Sequence, residues 1–466
     1  MIALAVVGVP LVAMLVCVVS RAARIAAALA CLSVGGLAIA ALVSASAGLR
    51  YSYAAPLRSA FLVAIDPLSA LLITLCAAVC LFSVASSARV GDRGAYFAIC
   101  SLALASATLV LVARDLGLFF IGWEMLLVSL AILVRHWGGP GRDEASIRLA
   151  VHGLAGSGLF LVALASIAVA RGTLDIDALG ARPIAASGQL FPALLFLAAF
   201  APAIALFPLH GWSVRTFVAA PPAIAALVPG LLATTACFGI VRVCLGLFPQ
   251  GMAAAAPVLI AFAAVGAVYA ALVASRQDDL RRLVAFAAVS QQSLAALALF
   301  AGTTTAIRGA IVIAIANGLG AAAFIVVGAA VADRSSSFLF SRTGGLGASA
   351  PRLAAVGALV ALAATGVPGS AAFAGDVLAI AGTYERFPAA AVIAAAALVL
   401  QAACAAAFIR RALDGPRLAE TSRDAGWRET ALVGVLLAAI FVVGLVPRVV
   451  TDRIGDEVLP AVEVTP

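Results

Sequence analysis

Four polar residues inside apolar stretches of this chain are candidates for chemistry. Glu124 ends Asp115-Leu-Gly-Leu-Phe-Phe-Ile-Gly-Trp-Glu124, and His210 sits in Phe207-Pro-Leu-His-Gly-Trp212. Asn317 is flanked by small residues in Ala316-Asn-Gly-Leu-Gly-Ala321, and Asp376 follows Gly366-Val-Pro-Gly-Ser370. A charged group near the centre of a bilayer costs about 2.5–3.5 kcal/mol on insertion scales, so each is a functional candidate. A buried carboxyl group can bind and release a proton, which is the chemistry that Glu124 and Asp376 offer. For Glu124 a static hydrogen bond between helices is the competing role. For His210, fixing a helix break through one ring nitrogen is favoured over proton transfer. Asp66 opens an apolar run as an N-cap does, and Arg114 and Asp115 are expected to pair at a helix start.

Other chemistry has no visible home. There is no glycine-rich phosphate loop, nucleophile elbow, His-Glu metal cluster or dinucleotide fingerprint. The eight cysteines fall inside apolar runs without a CxxC or metal-ligand spacing. No catalytic site, cofactor or metal is therefore expected in this chain. All 29 basic residues are arginine, so no lysine amine takes part in whatever it does.

The elements that must position these groups are membrane helices. The chain has 466 residues, 65% hydrophobic and 11% charged, where a soluble domain carries about 25% charged residues. Runs long enough to cross a bilayer, about 20 residues each, follow one another from Leu4 to Leu445. The reading is an all-α membrane protein, one polytopic domain over 1–450 with a short polar tail at 451–466. Helices are predicted near 2–20, 25–44, 65–87, 94–113, 115–134, 149–171, 190–213, 222–248, 252–275, 282–301, 306–331, 352–383, 388–411 and 428–447. The opening run reads as the first helix rather than a leader, since no basic residue precedes it and a second run follows Arg21 and Arg24. Nineteen of the arginines fall after odd-numbered helices and ten on the other side, which places both termini in the periplasm. The net charge of +8 is scattered between apolar runs, so it reports topology and implies no nucleic-acid partner.

Two helices are interrupted at membrane depth, the seventh by Pro202, Pro208 and Gly211 and the twelfth by Gly366, Pro368 and Gly369. Proline removes a backbone donor and glycine loosens the chain. Such breaks survive in lipid only where protein or a wet cavity satisfies the freed groups. Interrupted helices in corresponding positions of two halves are a signature of an inverted-repeat transporter; two ordinary proline kinks are the alternative.

Six ordered motifs between about residues 60 and 450 carry a resemblance. They are Asp66-Pro-Leu-Ser69, the run ending at Glu124, the run ending at Trp212, Gln277-Asp-Asp-Leu-Arg-Arg-Leu-Val-Ala-Phe286, Gly366 to Asp376, and Gly444-Leu-Val-Pro447. Together they resemble the antiporter-like subunits of respiratory complex I, closest to the chain M type, which are shared with Mrp antiporters and hydrogenase-4 complexes. The resemblance implies about fourteen helices, two inverted five-helix repeats near 94–248 and 252–411, and broken helices seven and twelve. It also implies a mid-membrane row of proton-carrying residues, with Glu124 first and Asp376 last.

Between those two positions the pattern fails. The family's basic residues on helices seven, eight and eleven correspond to Ala203, Thr234 and Asn317, and the segment after Trp212 reads Ser213-Val-Arg215. None of Ala, Thr or Asn exchanges a proton near neutral pH, though Thr234 and Asn317 could orient water. The proton-path candidates are thus Glu124, His210, Thr234, Asn317 and Asp376. The expected role is a multi-pass subunit in the bacterial inner membrane, taking part in proton or cation translocation coupled to electron transfer in partner subunits. Its partners would be the lipid bilayer and other membrane and redox subunits. A paralogue that keeps the fold without a channel, or a partner in proton-driven inorganic carbon uptake, are the alternatives. The long lateral helix that one branch of the family carries after its last span is not expected; a polar tail from Arg448 to Pro466 takes its place.

Overall fold

Side chains at the borders of the apolar runs set where the helices begin. In the computed structural model, which describes residues 2–43, 50–54, 60–87, 93–414 and 424–454, the Asp66 carboxylate accepts from the Ser69 N–H at 2.7 Å. Asp115 accepts from the N–H groups of Gly117 and Leu118 at 2.9 and 3.0 Å. Asp279, Thr303 and Ser370 cap three more helices in the same way. Each cap satisfies a main-chain donor that a helix start leaves open.

The helices of nine or more residues are α1 (Ile2–Val19), α2 (Ala23–Val43), α3 (Pro67–Ser86), α4 (Arg93–Val112), α5 (Leu116–Trp137), α6 (Arg142–Arg171), α7 (Ala186–Phe200) and α8 (Gly211–Ala219). They continue as α9 (Pro222–Leu245), α10 (Pro249–Arg276), α11 (Leu280–Ala301), α12 (Thr304–Ser335), α13 (Pro351–Ala364), α14 (Ala371–Tyr384), α15 (Pro388–Leu413) and α16 (Trp427–Leu445). Twelve of them are long and apolar enough to cross a membrane. The pairs α7/α8 and α13/α14 are the two broken spans, which brings the described residues to the expected fourteen. The breaks fall over 201–210 and 365–370, around the prolines and glycines that foretell them.

Two local features were not foreseen. Residues Arg50–Ala54 and Ala60–Ala64 form an antiparallel pair of strands, with Arg50 opposite Ala64. Within α9, residues Val228–Ala233 and Ile240–Leu245 wind as π-helix, a form that widens the turn and is frequent at functional sites. Arg58, Arg89, Arg417 and Arg423 of the arginine asymmetry, and the tail beyond Ile454, lie outside the described residues.

The chain divides into two compact units. The first runs to Ile204 and adds Ala219–Leu259 and the segment from Asp452. Here α1 packs on α4, α2 on α3, and α5 on both α4 and α6. The second comprises Ala205–Val218 and Ile260–Thr451. Its tightest pair is α12 with α14, where small residues let the backbones meet: a Cβ on Gly375 would lie 2.8 Å from the Ile313 nitrogen. Close packing at small residues is how helices associate without a hydrophobic drive in lipid. Apolar side chains such as Val169, Val399 and Leu445 remain 90%, 71% and 71% exposed, as a lipid-facing surface requires.

Candidate proton-exchange site

In the first unit, α5 carries Glu124 half-buried, next to Trp123, whose ring stands edge-on to Phe200 at 5.2 Å. The Glu124 carboxylate accepts a hydrogen bond from the Ser157 hydroxyl of α6. That contact joins α5 to α6, and it could not be read from the residues alone because serine is unremarkable on a small-residue helix. Ala203, where the resemblance implies a basic residue, is buried in the α7–α8 break. Thr234 is fully buried in α9, and its hydroxyl donates to the Pro229 carbonyl at 3.2 Å. Its one proton is thereby turned into its own helix.

The second unit holds the remaining candidates. His210 lies just before α8, its ring against those of Phe207, Tyr269 and Phe286 at 5.8, 5.5 and 6.1 Å. Its Nδ1 is buried without a hydrogen-bond partner, and the ring is packed among these aromatic side chains. Asn317 is buried in α12.

Asp376 is fully buried in α14. Its carboxyl group rests against the helix break, where Gly366 has φ +88° and a Cβ would lie 3.1 Å from Oδ2. The left-handed backbone and the close approach both require glycine there. Gln291 Nε2 of α11 donates to Asp376 Oδ2 at 3.3 Å and to Gln401 Oε1 of α15 at 2.6 Å. Gln401 Nε2 donates to the Ser290 hydroxyl at 3.0 Å, and that hydroxyl donates to the Ala267 carbonyl of α10 at 2.8 Å. A polar chain thus links Asp376 to three other helices. Neither glutamine nor Ser290 stands out in the sequence, since the side chains they bond are 85 to 111 residues away.

A second charged cluster corrects an expectation. Arg114 does not pair with Asp115, which is occupied as the cap of α5. It reaches instead to Asp66 at 2.5 Å, and Arg242 of α9 pairs with the same carboxylate. The three side chains are only 12–14% exposed, so Asp66 is both the cap of α3 and a clamp on two other segments.

Residues 113–401 match the family described as NADH:quinone oxidoreductase/Mrp antiporter, TM. NADH-quinone oxidoreductase subunit M of Mycobacterium tuberculosis is 32% identical over 82% of this chain and 71% of its own length. The Rhodobacter capsulatus subunit M is 29% identical over 86% and 81%. Among solved structures, a chain of respiratory complex I from Thermus thermophilus superimposes with a TM-score of 0.88 at 26% identity, covering 97% of this chain and 98% of that one. A chain of the Mrp complex from Dietzia sp. has the same fold, with a TM-score of 0.88 at 20% identity over 100% and 98% of the two chains. With fourteen spans among the described residues, two of them broken beside polar residues, this multi-pass membrane chain belongs to the NADH:quinone oxidoreductase/Mrp antiporter transmembrane family.

Proposed function

We propose that this chain is a membrane-arm subunit of a complex-I-like, hydrogenase-4-like or Mrp-type assembly in the bacterial inner membrane, with both termini in the periplasm. It takes part in proton or cation translocation coupled to electron transfer in partner subunits, and Glu124 and Asp376 are its exchanging groups. The observation that carries this reading is Asp376: a fully buried carboxyl group set against a glycine break and held by a polar chain. Buried acids of this kind in membrane proteins mark proton or ion routes. The inverted repeats near 94–248 and 252–411 belong to the same proposal, supported by the two breaks at corresponding places in those ranges.

One set of observations favours a second reading, a scaffold without its own channel. Ala203 cannot titrate, the Thr234 hydroxyl is spent on Pro229 and Asn317 is a neutral amide, so the three positions where the resemblance implies bases hold none. Purifying the native complex through a tag on this chain tests the assembly. Co-purified subunits that carry flavin or iron–sulfur absorbance fit redox coupling, and antiporter subunits alone fit the Mrp-type form. A chain that purifies alone from mild detergent contradicts the membrane-arm role.

A further inference from the structure

The hydrogen-bond chain behind Asp376 has a direction. Its two ends, the Asp376 carboxylate and the Ala267 carbonyl, are both acceptors, so every hydrogen must come from the side chains between them. Ser290 gives its only proton to Ala267 and can therefore only accept from Gln401. Gln401 must turn its Nε2 to Ser290 and its Oε1 to Gln291. Gln291 must then place its Nε2 between two acceptors, donating one hydrogen to Gln401 and the other to Asp376 Oδ2. Amide orientation follows here from the hydrogen-bond network, the proper basis for assigning it. Asp376 Oδ1 and Gln291 Oε1 are buried with no protein partner.

We propose that Gln291, Gln401 and Ser290 are positioning residues that hold Asp376 with Oδ2 facing a permanent donor, so that the proton exchanged by Asp376 binds only at Oδ1. This rests on the reading of Asp376 as an exchanging group. An oxygen that already receives an N–H from Gln291 has no acceptor in front of it to share a proton with. The amides cannot pass a proton along, since each nitrogen keeps its hydrogens at neutral pH. The chain toward α10 is thus a dead end for protons, and exchange takes place on the opposite side of the carboxyl group. Gly366 contributes by leaving room for Oδ2 beside the helix break.

Infrared difference spectra of the purified native complex between low and high pH, with the Asp376→Asn spectrum subtracted, isolate the carboxyl stretch of protonated Asp376. Its C=O is Oδ2, hydrogen-bonded to Gln291. In Gln291→Met, similar in size but without a donor, the band should move to higher frequency. Ser290→Thr keeps the hydroxyl and should leave the band in place. Ser290→Ala frees the amides to turn over and should split it, which carries the test if the methionine variant does not assemble. A band unmoved in Gln291→Met, or the same in the alanine and threonine variants, overturns the inference. Absence of any Asp376 band across the pH range instead overturns the reading of Asp376 as an exchanging group.

Discussion

Asp66 illustrates how one carboxylate can serve three segments. It caps α3 through the Ser69 N–H and pairs with Arg114 and Arg242, all of them mostly buried. Removing one partner from a buried ion pair leaves the others uncompensated, at a cost of about 3–5 kcal/mol. Asp66→Ala is therefore expected to destabilise the protein by that order, measured as the shift in thermal or detergent unfolding of the purified complex. Asp66→Asn keeps an acceptor for Ser69 and should recover only the cap, about 1 kcal/mol of the loss. The cap was legible from Asp-Pro at the start of an apolar run. The clamp was not, because sequence spacing places Arg114 beside Asp115, and only tertiary packing turns it to a residue 48 positions earlier.

The broken helices are held at the level of elements, and the first half of the second one has a cap supplied from far along the chain. Asp424 accepts from the main-chain N–H groups of Arg352 and Leu353, both at 3.1 Å, at the start of α13, and from Ala425 at 2.7 Å. Its slight burial pushes the carboxyl up, but these three donors and the Arg352 charge outweigh that and hold it below the usual carboxylate range. A depressed folded pKa contributes stability that is present above the unfolded value, about 3.9, and is lost as pH falls through the lower folded value. Asp424→Ala should accordingly lower the unfolding temperature at neutral pH, and the gap to wild type should close at acid pH. A gap that persists below both values would point to packing instead. The helix breaks themselves could be read from Pro202, Pro208, Gly366 and Pro368, whereas this cap could not, since nothing local links residue 424 to residue 352.

At the scale of the whole molecule, the spans, their number and the two interruptions follow from hydropathy and from proline and glycine, because lipid leaves the backbone few alternatives to helix. What hydropathy could not supply is the environment of the acids. Ser157, Gln291, Gln401 and Ser290 are neutral residues whose roles arise from the packing of separate helices. The π-helical stretches of α9 likewise have no clear mark in the sequence. Glu124 and Asp376 lie within helices, one in each unit, while Ala203, Thr234 and Asn317 take the places where the family resemblance implies bases. Whether two acids suffice for conduction is the central question, and it is answered by driven proton flux in proteoliposomes of the native complex. Wild type is compared with Glu124→Gln and Asp376→Asn after assembly has been verified for each. Ion translocation through this subunit predicts that both variants assemble and that each loses much of the flux. Flux equal to wild type in both fully assembled variants would contradict it, and would leave the chain as a scaffold within its complex.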